Sequence, residues 1–166
     1  MPEHAGGKRE LLLLVDGDPR TVSVVAPLAA ARKLGLVKAR TAVAALEIVQ
    51  RVGDSFCCAV VNLELPDIPG VAVAEALRQF YPALPVMCLT EVLAAANGPC
   101  LSKPIDSERL GAQLDQALAG MPLSSHSGMF SEDALSRARA RFHASRDLVA
   151  AARELARGLP EDYTGV

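Results

Sequence analysis

The sequence predicts an α/β fold, a doubly wound parallel sheet with helices on both faces. Between residues 10 and 119, short apolar runs alternate with amphipathic segments, a pattern typical of strands alternating with helices. The run from Phe56 to Val61 is apolar without alternation, as expected of a parallel strand buried on both faces. Several of these runs end in a polar residue, at the edge where such sheets carry their functional sites.

Local signals delimit each element. Asp18 followed by Pro19 suits a helix N-cap and first helical position, Gly35 suits the end of that helix, and Thr41 suits the next cap. Pro27 lies inside the first helix, where it is expected to bend it. The predicted strands are residues 10–15, 36–40, 56–61, 86–90 and 99–102, and the predicted helices are residues 19–34, 41–52, 71–80 and 107–118, the last capped by Ser107.

The fourth crossover is unusually short. Only residues 91–98 separate the fourth and fifth predicted strands, whereas a parallel crossover with its helix generally needs at least ten to twelve residues. Any helix in this segment is therefore expected to have about two turns at most.

Composition limits the function classes. With 166 residues, of which 51% are hydrophobic, the chain can bury one good core. A net charge of -2 gives no electrostatic reason to expect nucleic acid or an anionic membrane as a partner. No apolar stretch approaches the length of a membrane span or of a secretory signal. We therefore predict a cytoplasmic protein with neither nucleic-acid nor membrane partners.

The four cysteines are expected to be core residues. Cys57, Cys58, Cys88 and Cys100 lie in or beside apolar runs, without a CxxC pair or nearby histidines. Adjacent residues on a strand point to opposite faces, so they do not converge as zinc ligands would. The sequence therefore predicts no metal site and free thiols.

Polar residues at four strand ends carry a resemblance to a known family. Asp16 follows the first strand, Asn62 ends the third four residues before Pro66, Thr90 ends the fourth, and Lys103-Pro104 follows the fifth. Over residues 10–119 this order resembles the receiver domain of bacterial two-component response regulators. The resemblance implies a flavodoxin-like sheet with strand order 2-1-3-4-5, which would bring these four positions together.

The resemblance also shows what the site lacks. The family's phosphoryl-accepting aspartate corresponds to Asn62, and its two magnesium-binding acids correspond to Asp16 and Gly17. A neutral amide oxygen is a poor nucleophile towards phosphorus, so Asn62 is not expected to form an acyl phosphate. With Asp16 as its only well-placed acid, the site should bind magnesium weakly. We therefore predict no catalytic residue, metal or cofactor.

Thr90 and Lys103 match the hydroxyl and ammonium that contact the phosphoryl group in the family. Without a phosphate, a partly buried Lys103 needs an anion, and we predict Asp16 in that role, with the Asn62 carbonyl as a second acceptor. The alternative is that Thr90 and Lys103 serve only packing and helix entry.

Two further acids lie near this site. Asp18 could replace a missing metal ligand, but a helix N-cap explains it more simply. Glu64 is two residues beyond the strand end, and we interpret it as a solvated loop carboxylate.

The output surface of the family is altered. The aromatic residue that the family places three residues before the lysine is replaced by Cys100, and the crossover before it is short. The face around the fourth helix, fifth strand and fifth helix is a common partner surface in receivers, so different partners or a different assembly are expected.

A helical extension follows the receiver-like domain. Residues 120–130 have linker composition, and residues 131–159 are predicted to be one C-terminal helix whose interaction seam includes Leu135, Phe142 and Val149. This helix could fold back on its own domain, pair with a second copy or dock on another protein. Folding back is favoured because an Ala-rich stripe is poor for a coiled coil, and the groove of the short fourth crossover is the candidate surface.

The arginines of this helix do not indicate nucleic-acid binding. Arg137, Arg139 and Arg141 alternate, so they do not share one helix face, and residues 121–166 contain six arginines against six acids. No helix-turn-helix motif with a second amphipathic helix follows the domain.

The leading hypothesis is a phosphorylation-independent pseudo-receiver, a non-enzymatic module that acts through protein contacts or self-association in bacterial signal transduction. One alternative is an active response regulator that accepts a phosphoryl group through a rearranged site. Another is a receiver that senses a small ligand near Asp16, Asn62, Thr90 and Lys103.

Overall fold

The fold contains one five-stranded parallel sheet. The computed structural model describes residues 10–91, 100–120 and 130–159. All strand pairs are parallel and the strand order is 2-1-3-4-5, which confirms the predicted fold class. The strands are β1 (Leu11–Val15), β2 (Gly35–Ala39), β3 (Phe56–Asn62), β4 (Val86–Thr90) and β5 (Cys100–Ser102). The helices are α1 (Pro19–Ala31), α2 (Ala42–Val52), α3 (Gly70–Phe80), α4 (Ser107–Leu118), α5 (Glu132–Ser145) and α6 (Leu148–Arg157).

Two hydrophobic layers form because successive strand residues point to opposite faces. On one face, Leu12, Leu14 and Val60 pack with residues of α1 and α4. On the other face, Leu13 and Val61 pack with residues of α2 and α3, and residues of α5 and α6 join this second layer. The central strand β3 is buried almost throughout, as its unbroken apolar run predicts.

Helix caps correct two predicted boundaries. Helix α1 ends at Ala31 rather than Leu34, because Lys33 adopts a positive φ of 59° that turns the chain into β2. The N-cap of α4 is Asp106 rather than Ser107, and its carboxylate accepts hydrogen bonds from two backbone N–H groups of the first turn. Asp18 and Thr41 cap α1 and α2 as predicted, and Pro27 lies inside α1.

The predicted single C-terminal helix is wrong, since residues 132–157 form two helices. Arg146 adopts a left-handed conformation with φ 55° and ends α5. Asp147 then accepts a hydrogen bond from the Val149 N–H and caps α6. A residue in the left-handed region cannot continue a right-handed helix, so the chain reverses at this point.

The two C-terminal helices fold back on their own domain. Phe142 of α5 stacks on Phe80 of α3, with ring centroids 4.2 Å apart. Gln50 of α2 accepts a hydrogen bond from the Leu148 N–H and donates one to the Arg146 carbonyl, so it holds the turn between the helices. The helices thus form an outer layer over α2 and α3.

The prediction that the C-terminal extension docks in a groove at the fourth crossover is therefore wrong. The apolar seam packs instead against α2 and α3, because α3 offers a second apolar face. Its residues from Val71 to Ala74, together with Ala76 and Leu77, are all buried. A helix with apolar residues on two sides requires cover on both, which the sheet and α6 provide here.

Other sequence predictions fall partly outside the described residues. Residues 91–98, in which any helix is expected to have about two turns at most, lie there almost entirely, as does most of the linker at 120–130. The cysteines are thiols, with Cys58, Cys88 and Cys100 buried and Cys57 half-buried. The hydrogen bond to Cys57, together with burial, raises the pKa of the Cys58 thiol, which makes it a poor nucleophile.

Candidate functional site

The carboxyl ends of β1, β3, β4 and β5 meet at one edge of the sheet. The strand register pairs Val15 with Val61, Asn62 with Leu89, and Thr90 with Ser102. The side chains that follow or end these strands therefore gather at this edge. The structure thus brings together the four positions singled out from the sequence: Asp16, Asn62, Thr90 and Lys103.

A buried ion pair lies at the centre of this edge. The Lys103 Nζ is 2.8 Å from an Asp16 carboxylate oxygen, and the two side chains are 11% and 2% exposed. The same oxygen accepts from the Thr21 hydroxyl at 2.8 Å. The second oxygen accepts from the Asp18 N–H at 3.0 Å and from the Asn62 amide at 3.4 Å. Asp16 is therefore buried and bound by four hydrogen-bond donors, one of which is the Lys103 ammonium.

Asn62 is fixed within its own loop. Its side-chain amide donates to the Glu64 carbonyl at 3.1 Å, and its side-chain carbonyl accepts from the Glu64 N–H at 3.2 Å. This carbonyl was expected to accept from Lys103, but it is used by the loop backbone instead. The amide thus uses both its donor and its acceptor, which a carboxylate at this position could not do.

The interpretation of Glu64 as a solvated loop carboxylate is wrong. One oxygen accepts from the Thr90 hydroxyl at 2.8 Å, and the other accepts from the Glu91 N–H at 2.7 Å. Glu64 is half-buried and connects the end of β3 with the end of β4. The sequence carried no local signal for this contact, since the partners lie 26 and 27 residues away.

Asp18 is a helix cap. Its carboxylate accepts from the Arg20 N–H at 2.9 Å and lies 3.2 Å from the Arg20 guanidinium. The backbone hydrogen bond from Arg20, followed by the side-chain hydrogen bond, holds the pKa of Asp18 below its usual value. Its oxygens are therefore engaged by α1, which opposes a role as a metal ligand.

The residues at this edge do not fit the magnesium ion that receivers bind. Among the described residues, no group of three or more His, Cys, Asp or Glu side chains could hold a metal. Asp16 accepts hydrogen bonds on both oxygens, Gly17 has no side chain, and Asp18 caps a helix. Magnesium requires several hard oxygen ligands in octahedral geometry, which this arrangement does not offer.

A cleft of about 520 Å³ opens beside the ion pair. Its apolar lining includes Val24 of α1 with Pro104 and Ile105. Its charged lining holds two acids and two bases, Asp18, Glu91, Arg20 and Lys103. The volume falls within the usual range for small-molecule sites.

The predicted interaction seam is occupied within the chain. Leu135 and Phe142 are partly buried against the core, and Val149 is 7% exposed. These three side chains therefore contact the chain's own helices.

Solved structures similar to this chain include receiver domains and a sensor protein. One is the signal receiver domain of an HD domain-containing protein from Pseudomonas fluorescens Pf-5, with 26% identity, a TM-score of 0.59, and coverage of 68% of this chain and 88% of that one. Another is a sensor protein from Polaromonas sp. JS666, with 25% identity, a TM-score of 0.57, and coverage of 69% and 99%. The chain therefore has the receiver-domain fold of two-component signal transduction.

Sequence comparison gives a shorter match. The chain is 34% identical to the sensor protein TorS of Escherichia coli (strain K12) over 73 residues, which cover 44% of this chain but only 8% of TorS. No protein-family model matches the chain. Within the described ranges, no helix has the length and apolarity needed to cross a membrane.

Proposed function

We propose that this protein is a phosphorylation-independent pseudo-receiver, a regulatory module of bacterial signal transduction that acts through protein contacts in the cytoplasm. In this function the chain performs no catalysis and needs no cofactor. Its partner is a signalling protein or a second copy of the chain.

The observation that carries this proposal is the side chain at the phosphoacceptor position. Asn62 presents a neutral amide, whose donor and acceptor are both bound to the backbone of Glu64. Phosphoryl transfer to a receiver requires an anionic carboxylate oxygen there, and an amide oxygen is a far weaker nucleophile.

The ion pair supports the same function. In a phosphorylated receiver the lysine contacts the phosphoryl group, whereas here Lys103 is 2.8 Å from Asp16. A lysine paired with a buried carboxylate has its charge compensated within the protein. The site is therefore proposed to be a structural lock with one state.

The C-terminal helices favour contacts through surfaces other than the seam. Phe142 is engaged by Phe80, and Gln50 holds the turn between α5 and α6. A partner is therefore proposed to contact the outward side of these helices or the altered face near β5.

Exposure to a small phosphodonor tests the proposal. The full chain is incubated with acetyl phosphate and magnesium, and its intact mass is measured beside a receiver that carries the complete set of acids as a positive control. We expect no mass gain in this chain under conditions that phosphorylate the control. A stoichiometric gain of one phosphoryl group, released by hydroxylamine, would support an active response regulator with a rearranged site instead.

The cleft beside Lys103 favours small-ligand sensing as a second candidate function. Its volume of about 520 Å³ and its mixed apolar and charged lining suit a small polar organic molecule. Thermal unfolding of the chain in the presence of a panel of such molecules tests this candidate, since a ligand that binds only the folded state raises the unfolding midpoint.

A further inference from the structure

The Glu64 carboxylate is bound at the end of β4 in the way that a small anion would be bound. A hydroxyl from Thr90 and a backbone N–H from Glu91 each donate to a different oxygen of one carboxylate, at 2.8 and 2.7 Å. Both distances lie within the normal range for hydrogen bonds to a carboxylate oxygen. A hydroxyl and a backbone N–H that converge in this way form an oxyanion-binding pair.

We propose that Glu64 is a built-in anion that occupies an oxyanion site formed by the Thr90 hydroxyl and the Glu91 N–H. The occupant is a carboxylate of the same chain, so the end of β4 is held in an anion-bound arrangement without phosphorylation. The ligand class that this site would take in the absence of Glu64 is a small tetrahedral oxyanion such as inorganic phosphate.

Asn62 supplies the reason why Glu64 stays in place. The Asn62 amide binds both the carbonyl and the N–H of the Glu64 backbone. An aspartate at position 62 would lose the donor to the carbonyl and would place a second negative charge beside the Asp16 carboxylate. The Asn62 amide, which prevents phosphoryl transfer, thus also positions the Glu64 carboxylate. Asn62 and Glu64 therefore act together to keep the oxyanion site occupied.

The inference deepens the proposed function and rests on it. A chain that is phosphorylated at this edge would need the Thr90 hydroxyl for the phosphoryl group. A chain that is not phosphorylated can keep Glu64 there permanently.

Phosphate titration of Glu64 variants tests the proposal. Inorganic phosphate is added to the full, ¹⁵N-labelled chain, and the chemical shift of the Glu91 amide is followed. In the unmodified chain we expect no saturable shift. In Glu64→Ala the vacated site should bind phosphate, at least about tenfold more tightly than in the unmodified chain. Adding Thr90→Val to this variant should weaken phosphate binding, because one of the two donors is removed.

Two further variants keep the result decisive. Glu108→Ala removes one negative charge from an exposed position of α4, and we expect it to leave phosphate binding unchanged. Glu64→Gln keeps the side-chain length, loses the charge, and should also bind phosphate more tightly than the unmodified chain. It decides the question if Glu64→Ala does not fold.

The proposal is overturned if neither variant of Glu64 gains phosphate binding. It is also overturned if the unmodified chain binds phosphate equally well at the Glu91 amide. Failure of the proposed function has a different signature, because it appears as a phosphoryl group on the unmodified chain after acetyl phosphate treatment. The two ideas can therefore fail independently.

Discussion

Replacing Phe142 with alanine should loosen the C-terminal helices from the domain. The ring stacks on Phe80 with a centroid distance of 4.2 Å and an interplanar angle of 22°. A fully buried Phe→Ala change costs about 3 to 5 kcal/mol, but Phe142 is only partly buried. We therefore expect a loss of about 2 to 3 kcal/mol, of which about 0.5 to 1.5 kcal/mol is the ring pair itself.

Unfolding in urea at several protein concentrations measures this loss. In thermal unfolding, the same loss of stability lowers the midpoint of a chain of this length by about 4 to 12 °C. Neither the urea midpoint nor the thermal midpoint should depend on protein concentration, because the contact lies within one chain. The matched control is Arg141→Ala, which removes an exposed side chain from the neighbouring helix position and should leave the midpoint almost unchanged.

A double-mutant cycle isolates the ring pair. Phe80→Ala and Phe142→Ala should be non-additive by about 0.5 to 1.5 kcal/mol. Additive losses would show that the two rings do not contact each other. An unchanged midpoint in Phe142→Ala, or a loss that disappears at high protein concentration, would refute the fold-back arrangement.

Three further predictions concern Asp67 and the residues of the sheet edge. Asp67 accepts hydrogen bonds at 2.9 Å from two backbone N–H groups at the start of α2, so Asp67→Ala should cost about 0.5 to 2 kcal/mol in urea unfolding at neutral pH. Burial raises the pKa of Asp67, but backbone hydrogen bonds from Val43, Ala42, Ile68 and Asp67 itself outweigh it and leave the pKa below the usual 3.8. The stabilisation is therefore complete above that value and is lost as the pH falls through the lower folded pKa, where the variant and the unmodified chain should converge. Lys103→Met leaves the buried Asp16 carboxylate without its counter-charge and should lower the free energy of unfolding in urea by about 3 to 5 kcal/mol. A second change, Asp16→Asn, should restore most of this loss, and no recovery would contradict the ion-pair account. Asn62→Asp alone should not restore phosphorylation by acetyl phosphate, as judged by intact mass, because Gly17 still leaves the metal one acid short. The comparison is the double variant with Gly17→Asp, which the site can accommodate because a Cβ at Gly17 would have its nearest neighbours at 3.8 Å. Full restoration by the single change would refute the argument that both acids are required.

The sheet was predictable because its signals are local. An apolar run such as the one ending at Asn62 identifies a strand by composition, and the alternation with helices identifies parallel pairing. The clustering of Asp16, Asn62, Thr90 and Lys103 was predictable because each lies at or just after the carboxyl end of a strand, and parallel strands present these ends at the same edge of the sheet. The ion pair between Asp16 and Lys103 followed from the need of a partly buried ammonium for an anion.

The contacts of Glu64 and Asp67 were not predictable from local pattern. Each carboxylate binds groups more than 20 residues away in sequence. A loop acid near a Pro/Gly turn looks the same whether it faces solvent or a backbone N–H of another element. Only the strand order and the path of the loop decide between these arrangements.

The C-terminal extension contained signals that pattern reading missed. Asp147 is an N-cap residue within the predicted helix, and it starts α6. The identity of Arg146 did not indicate the end of α5, because arginine adopts the left-handed region far less readily than glycine or asparagine. In α3, six of the seven residues from Val71 to Leu77 are apolar, which already indicated that more than one side of the helix is covered.

A magnesium titration tests the central claim most directly. The account holds that Asp16 is occupied by Lys103 and by three further donors, so that the edge of the sheet is closed to a metal ion. Amide chemical shifts of the full, ¹⁵N-labelled chain around Asp16 are followed while magnesium is added into the low millimolar range. We predict no saturable change at these amides. A saturable shift centred on Asp16 would show that the ion pair opens to bind a metal, and it would contradict the account.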